Sequence, residues 1–288
     1  MKKVAYFFSS FLPLLIAMGA QMLAMAFMFG ISGLFLFTTH KGGKDTLEDT
    51  LMEMLTNQDF STCIMIVYTL ITIAILGIWY YSRCGGDYLP KPSRTFNVMG
   101  LIGVAALVPG MQFFSGYLTS IIALIVPKWW EQYQKLMETA GLDNNVGPLM
   151  ICYAVILGPI CEELIFRGVT MSLAKQALPF WLANFMQAVL FGLFHMNWIQ
   201  GIYAFVLGLV LGFLCEKGGS IYYSLLFHIL FNFWGTILSQ LLGNIKESAL
   251  LGILMFVSMI ISLAAGSCLF IFGMMKKERK LRVTAENY

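Results

Sequence analysis

The run ICYAVILGPICEELIFRGVTM, residues 151–171, places two adjacent glutamates and an arginine inside an otherwise apolar stretch. About 20 apolar residues in a helix cross the hydrocarbon core of a bilayer, which is about 30 Å thick. Ionisable groups at that depth cost roughly 2.5–3.5 kcal/mol each on insertion scales, so chains rarely keep them without a use. Glu162, Glu163 and Arg167 are therefore the first candidates for function.

The composition predicts a bilayer as the solvent of the whole chain. Of 288 residues, 59% are hydrophobic and 11% are charged, whereas soluble domains average about 45–50% and 25%. No long basic patch alternates with aromatic residues, so nucleic acid is not an expected partner. The six cysteines are scattered without a CxxC pair, which argues against a disulfide framework or a zinc ribbon.

Apolar runs of span length predict an all-α, multi-pass transmembrane helical bundle of about eight spans. Two polar segments separate the early spans, at 40–59 and 127–145, and each contains a short amphipathic stretch. Trp129, Trp130 and Tyr133 in the second suit a helix lying along the membrane surface. The predicted spans are 10–37, 61–82, 97–126, 147–173, 179–197, 198–216, 220–243 and 249–275.

The positions of lysine and arginine predict that both termini face the cytoplasm. With eight spans and a cytoplasmic N-terminus, thirteen of the 18 lysines and arginines lie on the inner side. Positive charge concentrates on the cytoplasmic side of membrane proteins. The short loops and the absence of an organelle-targeting signal suit a bacterial cell membrane.

Helical spacing assigns different roles to the two glutamates. Glu163 and Arg167 are four residues apart, so they share a helix face and can form an ion pair. Glu162 points about 100° away and has no local partner. An unpaired carboxylate is free to accept a proton, which makes Glu162 the candidate general base. The alternative is an ion-paired cluster that only fixes helix packing.

Two further spans add polar side chains. His195 ends the run ANFMQAVLFGLFHM (183–196), and His228 lies four residues before Asn232 in SLLFHILFNFWG (224–235). We expect these side chains to converge with Glu162 in one site. By position along the chain, however, His195 lies near the outer end of its span and Glu162 nearer mid-depth, which short or tilted helices would reconcile.

Several chemistries fit this set of residues. Two histidines and a glutamate match the ligands of a catalytic zinc. They equally match a metal-free hydrolase in which Glu162 and His195 activate a water while His228 and Asn232 stabilise an oxyanion. Proton or ion transport is the competing use of buried carboxylates and imidazoles. No HExxH motif occurs, the aspartates all fall in loops, and Ser220 follows two glycines as a helix N-cap would.

Three motifs in order resemble one family. EELIFR (162–167) fits EExxxR, FGLFH (191–195) fits FxxxH, and HILFN (228–232) fits HxxxN. Their order and spacing resemble the CPBP family of intramembrane proteases, which includes the Abi proteins and the type II CAAX prenyl endopeptidases. The resemblance covers about residues 147–243. It implies a core of four helices, flanked by N-terminal membrane helices with two polar loops (1–146) and by a last membrane helix with a charged cytoplasmic tail (244–288).

The resemblance also implies roles and partners. Glu162 corresponds to the water-activating glutamate, Glu163 to its neighbour held by Arg167, and His195 to the histidine that shares the water. His228 and Asn232 correspond to the pair that stabilises the oxyanion or assembles the site. The cofactor is zinc or none. The expected function is endoproteolysis of a peptide or lipid-modified protein at the bilayer. A non-proteolytic partner of another membrane protein, in bacteriocin immunity or sensor-kinase modulation, is the alternative.

Overall fold

The structure is a computed structural model that describes residues 1–39, 52, 54, 56–88, 95–140, 142, 146–238 and 248–286. Every regular element in these ranges is helical, which confirms the predicted all-α bundle. In chain order the helices are α1 Lys2–Ser9, α2 Leu12–Thr39, α3 Gln58–Tyr88, α4 Val98–Ile125, α5 Pro127–Thr139, α6 Pro148–Ala174, α7 Phe180–Phe194, α8 Trp198–Gly218, α9 Ile221–Leu238 and α10 Ala249–Glu286.

The number of long membrane helices differs from the prediction. The described residues contain seven apolar helices that are long enough to cross a bilayer, with α1 and α2 counted together. The fifth predicted span, 179–197, is the helix α7, which has only 15 residues. At 1.5 Å per residue it reaches about 22 Å, which is less than the hydrocarbon thickness. Pro179 precedes this helix, and His195 ends it.

Helix α6 is the centre of the bundle. Half of its most apolar window is buried within the protein, against 11% for α10, which lies at the edge. Two stretches of α6, Tyr153–Leu157 and Leu164–Thr170, are wound as π-helix. Such segments are rare and frequently occur at functional sites, because they displace side chains and free backbone carbonyls. The two glutamates lie at the end of the α-helical turn between these stretches, Gly158–Glu163.

Two tight connections hold α7, α8 and α9 in place. Only three residues join α7 to α8, and Met196 among them has a φ of 53°, a left-handed conformation that costs a non-glycine residue roughly 1–2 kcal/mol. The Asn197 side chain then caps α8 by accepting a bond from the backbone N–H of Gln200 (3.1 Å). At the next turn Gly219 takes a φ of 73° and the Ser220 hydroxyl accepts from the Tyr222 N–H (3.3 Å), so the predicted N-cap is confirmed.

The first predicted surface segment, 40–59, lies largely outside the described residues. The second contains α5, whose residue Trp129 stacks on Trp198 of α8 with ring centroids 5.4 Å apart. Burial raises the pKa of the Tyr133 hydroxyl on the same helix above its usual range, because the charged form is poorly solvated there. Helix α5 is therefore packed against the bundle.

The edge helix α10 packs along α4 through glycines. A Cβ atom placed on Gly103 would lie 2.5 Å from the backbone nitrogen of Phe270, and one on Gly266 would lie 3.0 Å from the Gly103 carbonyl oxygen. Small residues allow membrane helices to approach this closely.

Gly103→Val should therefore destabilise the bundle. The new side chain meets backbone, which cannot move aside, so we expect a loss of at least about 1–3 kcal/mol of unfolding free energy, measured by thermal unfolding in detergent. Gly77→Val is the control, because nothing lies within 4 Å of a Cβ at Gly77. Equal stability of the two variants would contradict the packing of α10 on α4.

Candidate active site

One carboxylate oxygen, Oε1 of Glu163, joins two helices. It lies 3.0 Å from Nη1 of Arg167 and 2.9 Å from Nδ1 of His228 on α9. The side chains of Glu163 and Arg167 have no exposed surface, and His228 is 2% exposed. The ion pair predicted from the four-residue spacing is present, and it has a third member that the spacing did not predict. Buried charges persist only when they are paired in this way.

The guanidinium of Arg167 is held by more than this ion pair. Its Cζ lies 4.4 Å from the ring centroid of Phe191 on α7, and its Nη2 donates to the carbonyl of Gly208 on α8 (3.4 Å). A cation over an aromatic face is attracted by the ring quadrupole, and more strongly when it is away from water. Arg167 thus connects α6 with α7 and α8, while Glu163 connects α6 with α9.

Glu162 has a different environment from its neighbour. Its side chain is 15% exposed and lines a cavity of about 450 Å³, whereas Glu163 does not line it. Nε2 of His228 lies 3.5 Å from Oε2 of Glu162. His228 therefore lies between the two carboxylates, with one ring nitrogen bonded to Glu163 and the other facing Glu162.

His195 lines the same cavity as Glu162 and His228. Its Nδ1 pairs with the carbonyl oxygen of Phe191 (2.8 Å), and the Phe191 ring packs edge-on against it at 4.9 Å. This bond leaves Nε2 as the nitrogen available for chemistry. Because α7 is short, its end lies at the depth of Glu162, which resolves the mismatch in depth that the sequence posed.

Asn232 also lines the cavity, and its amide group is oriented by α6. Its Nδ2 donates to the carbonyl oxygen of Ala154 (2.8 Å), which lies in the first π-helical stretch. An amide nitrogen carries two N–H groups, so one donor remains after this bond. The cavity thus gathers Glu162, His195, His228 and Asn232, while Glu163 and Arg167 lie behind them.

Two tyrosines in this cavity were not predicted from the sequence. Tyr68 of α3 and Tyr153 of α6 both line it, and their hydroxyl groups are 3.1 Å apart. Each of these two tyrosines lies well inside a predicted span. That position could have identified them as polar site residues, since a phenol at that depth needs a hydrogen-bond partner. The motifs did not include α3, so its contribution was not considered.

A zinc ion requires a set of ligands that the described side chains do not bring together. A catalytic zinc takes three protein ligands, and no group of three His, Cys, Asp or Glu side chains among the described residues is arranged to hold a metal. His228 binds Glu163 through Nδ1 and lies 3.5 Å from Glu162 at Nε2, so this pair offers two possible ligands and not three. The arrangement therefore does not fit a three-ligand zinc site, and the chemistry below is derived from the side chains alone.

Comparison with known proteins gives a match in the part of the chain that contains the candidate site. Residues 144–234 match the family model of the type II CAAX prenyl endopeptidase Rce1-like proteins. This segment is similar to the Rce1-like proteins, and we call it the Rce1-like segment. The resemblance indicated by the three motifs is thereby confirmed for this segment.

A relative supports the same assignment over a similar length. Eighty-five residues are 29% identical to YdiL of Bacillus subtilis (strain 168), which is provisionally assigned as a membrane peptidase. The match covers 30% of this chain and 35% of the relative, so the chain spans about a third of the length of that protein. No solved structure matches. At family level, the Rce1-like segment is thus similar to membrane proteases.

Removing the Arg167 side chain should destabilise the fold, because it leaves the buried Glu163 carboxylate without its charge partner. Arg167→Met is expected to lower the unfolding free energy by about 3–5 kcal/mol, the range seen when one partner of a buried pair is deleted. Lys175→Met is the control, because it breaks the half-exposed pair of Lys175 with Glu216 and should cost at most about 1 kcal/mol. Chemical unfolding in mixed micelles measures both.

The double variant Glu163→Gln/Arg167→Met separates the lost charge pair from lost packing. It should be more stable than Arg167→Met alone, because no uncompensated charge remains. Additive losses would contradict the coupling of the two side chains.

Proposed function

We propose that this chain is an intramembrane endopeptidase in which Glu162 activates a water molecule. The observation that supports this proposal most directly is the difference in surroundings between the two adjacent glutamates. Glu163 is fully buried and engaged by Arg167 and His228, whereas Glu162 faces the cavity beside two imidazoles and an amide. The Rce1-like segment supports the same reaction class, since its 91 residues contain all six of these side chains.

The proposed reaction begins with a water between Glu162 and His195. The Glu162 carboxylate takes a proton from this water as the water oxygen attacks the carbonyl carbon of the scissile peptide bond. The Nε2 atom of His195 orients the water, since its Nδ1 is held by Phe191. When the carbon–nitrogen bond breaks, Glu162 returns the proton to the leaving amine, and its carboxylate is restored.

The negative oxygen of the tetrahedral intermediate needs donors that are already in place. The proposed donors are the second N–H of Asn232 and the Nε2–H of His228, which acts as an imidazolium because its Nδ1–H is already bonded to Glu163. Glu163 and Ala154 hold these two side chains from behind, so little reorganisation is needed when charge develops. Glu163 and Arg167 act in this account as positioning residues.

The remaining assignments belong to the same proposal. We assign the catalytic core to residues 147–243, with 1–146 and 244–288 flanking it. Both termini face the cytoplasm of a bacterial cell, as the positive-inside bias predicts, and this orientation requires the short helix α7 to cross the bilayer together with the seven longer helices. The substrate is a peptide or lipid-modified protein that enters from the bilayer or its surface.

Glu162→Gln tests the general base. The substitution keeps the shape of the side chain and removes the proton acceptor, so cleavage in proteoliposomes should fall by at least about 10²–10⁴-fold while thermal stability is retained. Ser220→Ala is the control and should cleave normally, because its hydroxyl caps α9. Unchanged cleavage by Glu162→Gln would overturn the mechanism, and absence of cleavage by the wild type would favour a non-proteolytic role.

Chelation tests the chemistry without a metal. Purified enzyme dialysed against 1,10-phenanthroline should keep its kcat/KM, and elemental analysis should find no stoichiometric zinc, because the described residues do not bring three metal ligands together. Loss of activity that added zinc restores would show instead that the side chains rearrange around a metal.

A further inference from the structure

A second cavity adjoins the Glu162 cavity. We call it the side cavity; its volume is about 740 Å³, and α4, α5, α8 and α9 line it. Asn232, Gln200 and Ala154 line both cavities, so the two adjoin at Asn232, one of the proposed oxyanion donors. A space of this size is in the range of ligand sites, which is about 300–1,000 Å³.

Uncharged polar side chains line the side cavity at membrane depth. Gln112, Ser115 and Thr119 of α4 lie in it, at positions i, i+3 and i+7 of one helix face. This stripe interrupts a span that is otherwise almost wholly apolar. Gln200 of α8 and Thr236 of α9 line the opposite walls. Polar groups inside a membrane bundle are costly unless they are hydrogen-bonded.

Ser115 has an unmet need for a hydrogen bond. The residue is 7% exposed, and its Oγ has no partner among the described residues. A buried hydroxyl without a partner costs about 1–3 kcal/mol. Its neighbour Gln112 does have one, since its Nε2 donates to the backbone carbonyl of Phe231 on α9. The Ser115 hydroxyl thus lies in the wall of the side cavity without a protein partner among the described residues.

The charges of the side chains that line the side cavity limit the chemical class of ligand that can bind there. Glu138, which is exposed on α5, is the only Asp, Glu, Lys or Arg among the described residues that line the side cavity. An ionic headgroup would find no buried counter-charge there, and a hydrocarbon chain would leave the hydroxyl and amide groups unsatisfied. Neutral groups that both donate and accept are the complement, and a peptide backbone supplies them at every residue.

We propose that the side cavity binds the substrate's peptide backbone on one side of the scissile bond, with Ser115 as a binding residue. This proposal rests on the proposed endopeptidase function. A chain with its scissile carbonyl at Asn232 in the Glu162 cavity has the side cavity next to it, because Asn232 lines both. Hydrogen bonds to Ser115 then add affinity away from the reacting atoms.

The first experiment compares Ser115→Ala with the wild-type full chain in proteoliposomes. The probe is a synthetic library of peptides with a randomised central segment, and mass spectrometry reads the cleavage products. Ser115→Ala removes a hydroxyl with no protein partner, so a purely structural role predicts no effect. We expect KM for the preferred peptides to rise by about 3- to 10-fold, the equivalent of one neutral hydrogen bond, while kcat stays near its wild-type value.

Ser120→Ala is the matched control on the same helix. Ser120 is exposed, lines neither of the two cavities, and bonds to the Gly116 carbonyl of its own helix (2.9 Å). Its KM should match that of the wild type. If the wild type cleaves the library and Ser115→Ala has an unchanged KM, the role of Ser115 is overturned while the protease proposal stands.

The second experiment identifies the ligand without cleavage. The photoreactive residue p-benzoylphenylalanine replaces Thr119 in the side cavity, or Ile121 on the exposed face of α4, in Glu162→Gln protein. The probe at position 119 should capture library peptides, and the probe at 121 should capture only phospholipid. Capture of phospholipid alone at position 119 overturns peptide binding. If the wild type cleaves nothing but position 119 captures peptide, the proposed hydrolysis fails and the side cavity stands.

Discussion

The arrangement of the site depends on one buried oxygen, Oε1 of Glu163, which Arg167 and His228 share. A carboxylate without exposed surface is stable only if its charge is matched locally. Arg167 supplies the charge from the next turn of α6, and His228 supplies a second bond from α9. Because both bonds end on one atom, the two helices cannot slide past each other without exposing a buried charge to apolar surroundings. The position of His228 beside Glu162 follows from this constraint.

The π-helical stretches of α6 explain how a single helix serves both sides of the site. The first presents the Ala154 carbonyl to Asn232, and the second contains Arg167 directly after the glutamates. The short helix α7 then brings Phe191 over the guanidinium and His195 to the cavity. Departures from regular geometry thus coincide with the candidate catalytic side chains, as expected where function has constrained packing.

The sequence predicted the parts of this structure that depend on local spacing. Residues four apart share a helix face, so the pair of Glu163 with Arg167 followed from the sequence alone, and apolar runs revealed the bundle. The individual contacts between distant segments did not follow, because periodicity describes one helix at a time. The bond from His228 to Glu163, the two cavity tyrosines and the wall shared with the side cavity all depend on how helices pack. The fifth predicted span is longer than the helix α7, because hydropathy reports the composition of a segment but does not show where its helix ends.

The most direct test of the shared oxygen is nitrogen-15 NMR of the histidine rings in the full chain in lipid nanodiscs. Only three histidines are present, His40, His195 and His228, so substitution assigns each signal. The account predicts that Glu163→Gln shifts the ring-nitrogen resonances of His228 strongly and those of His40 not at all. Unchanged His228 resonances after the loss of the Glu163 charge would contradict the account.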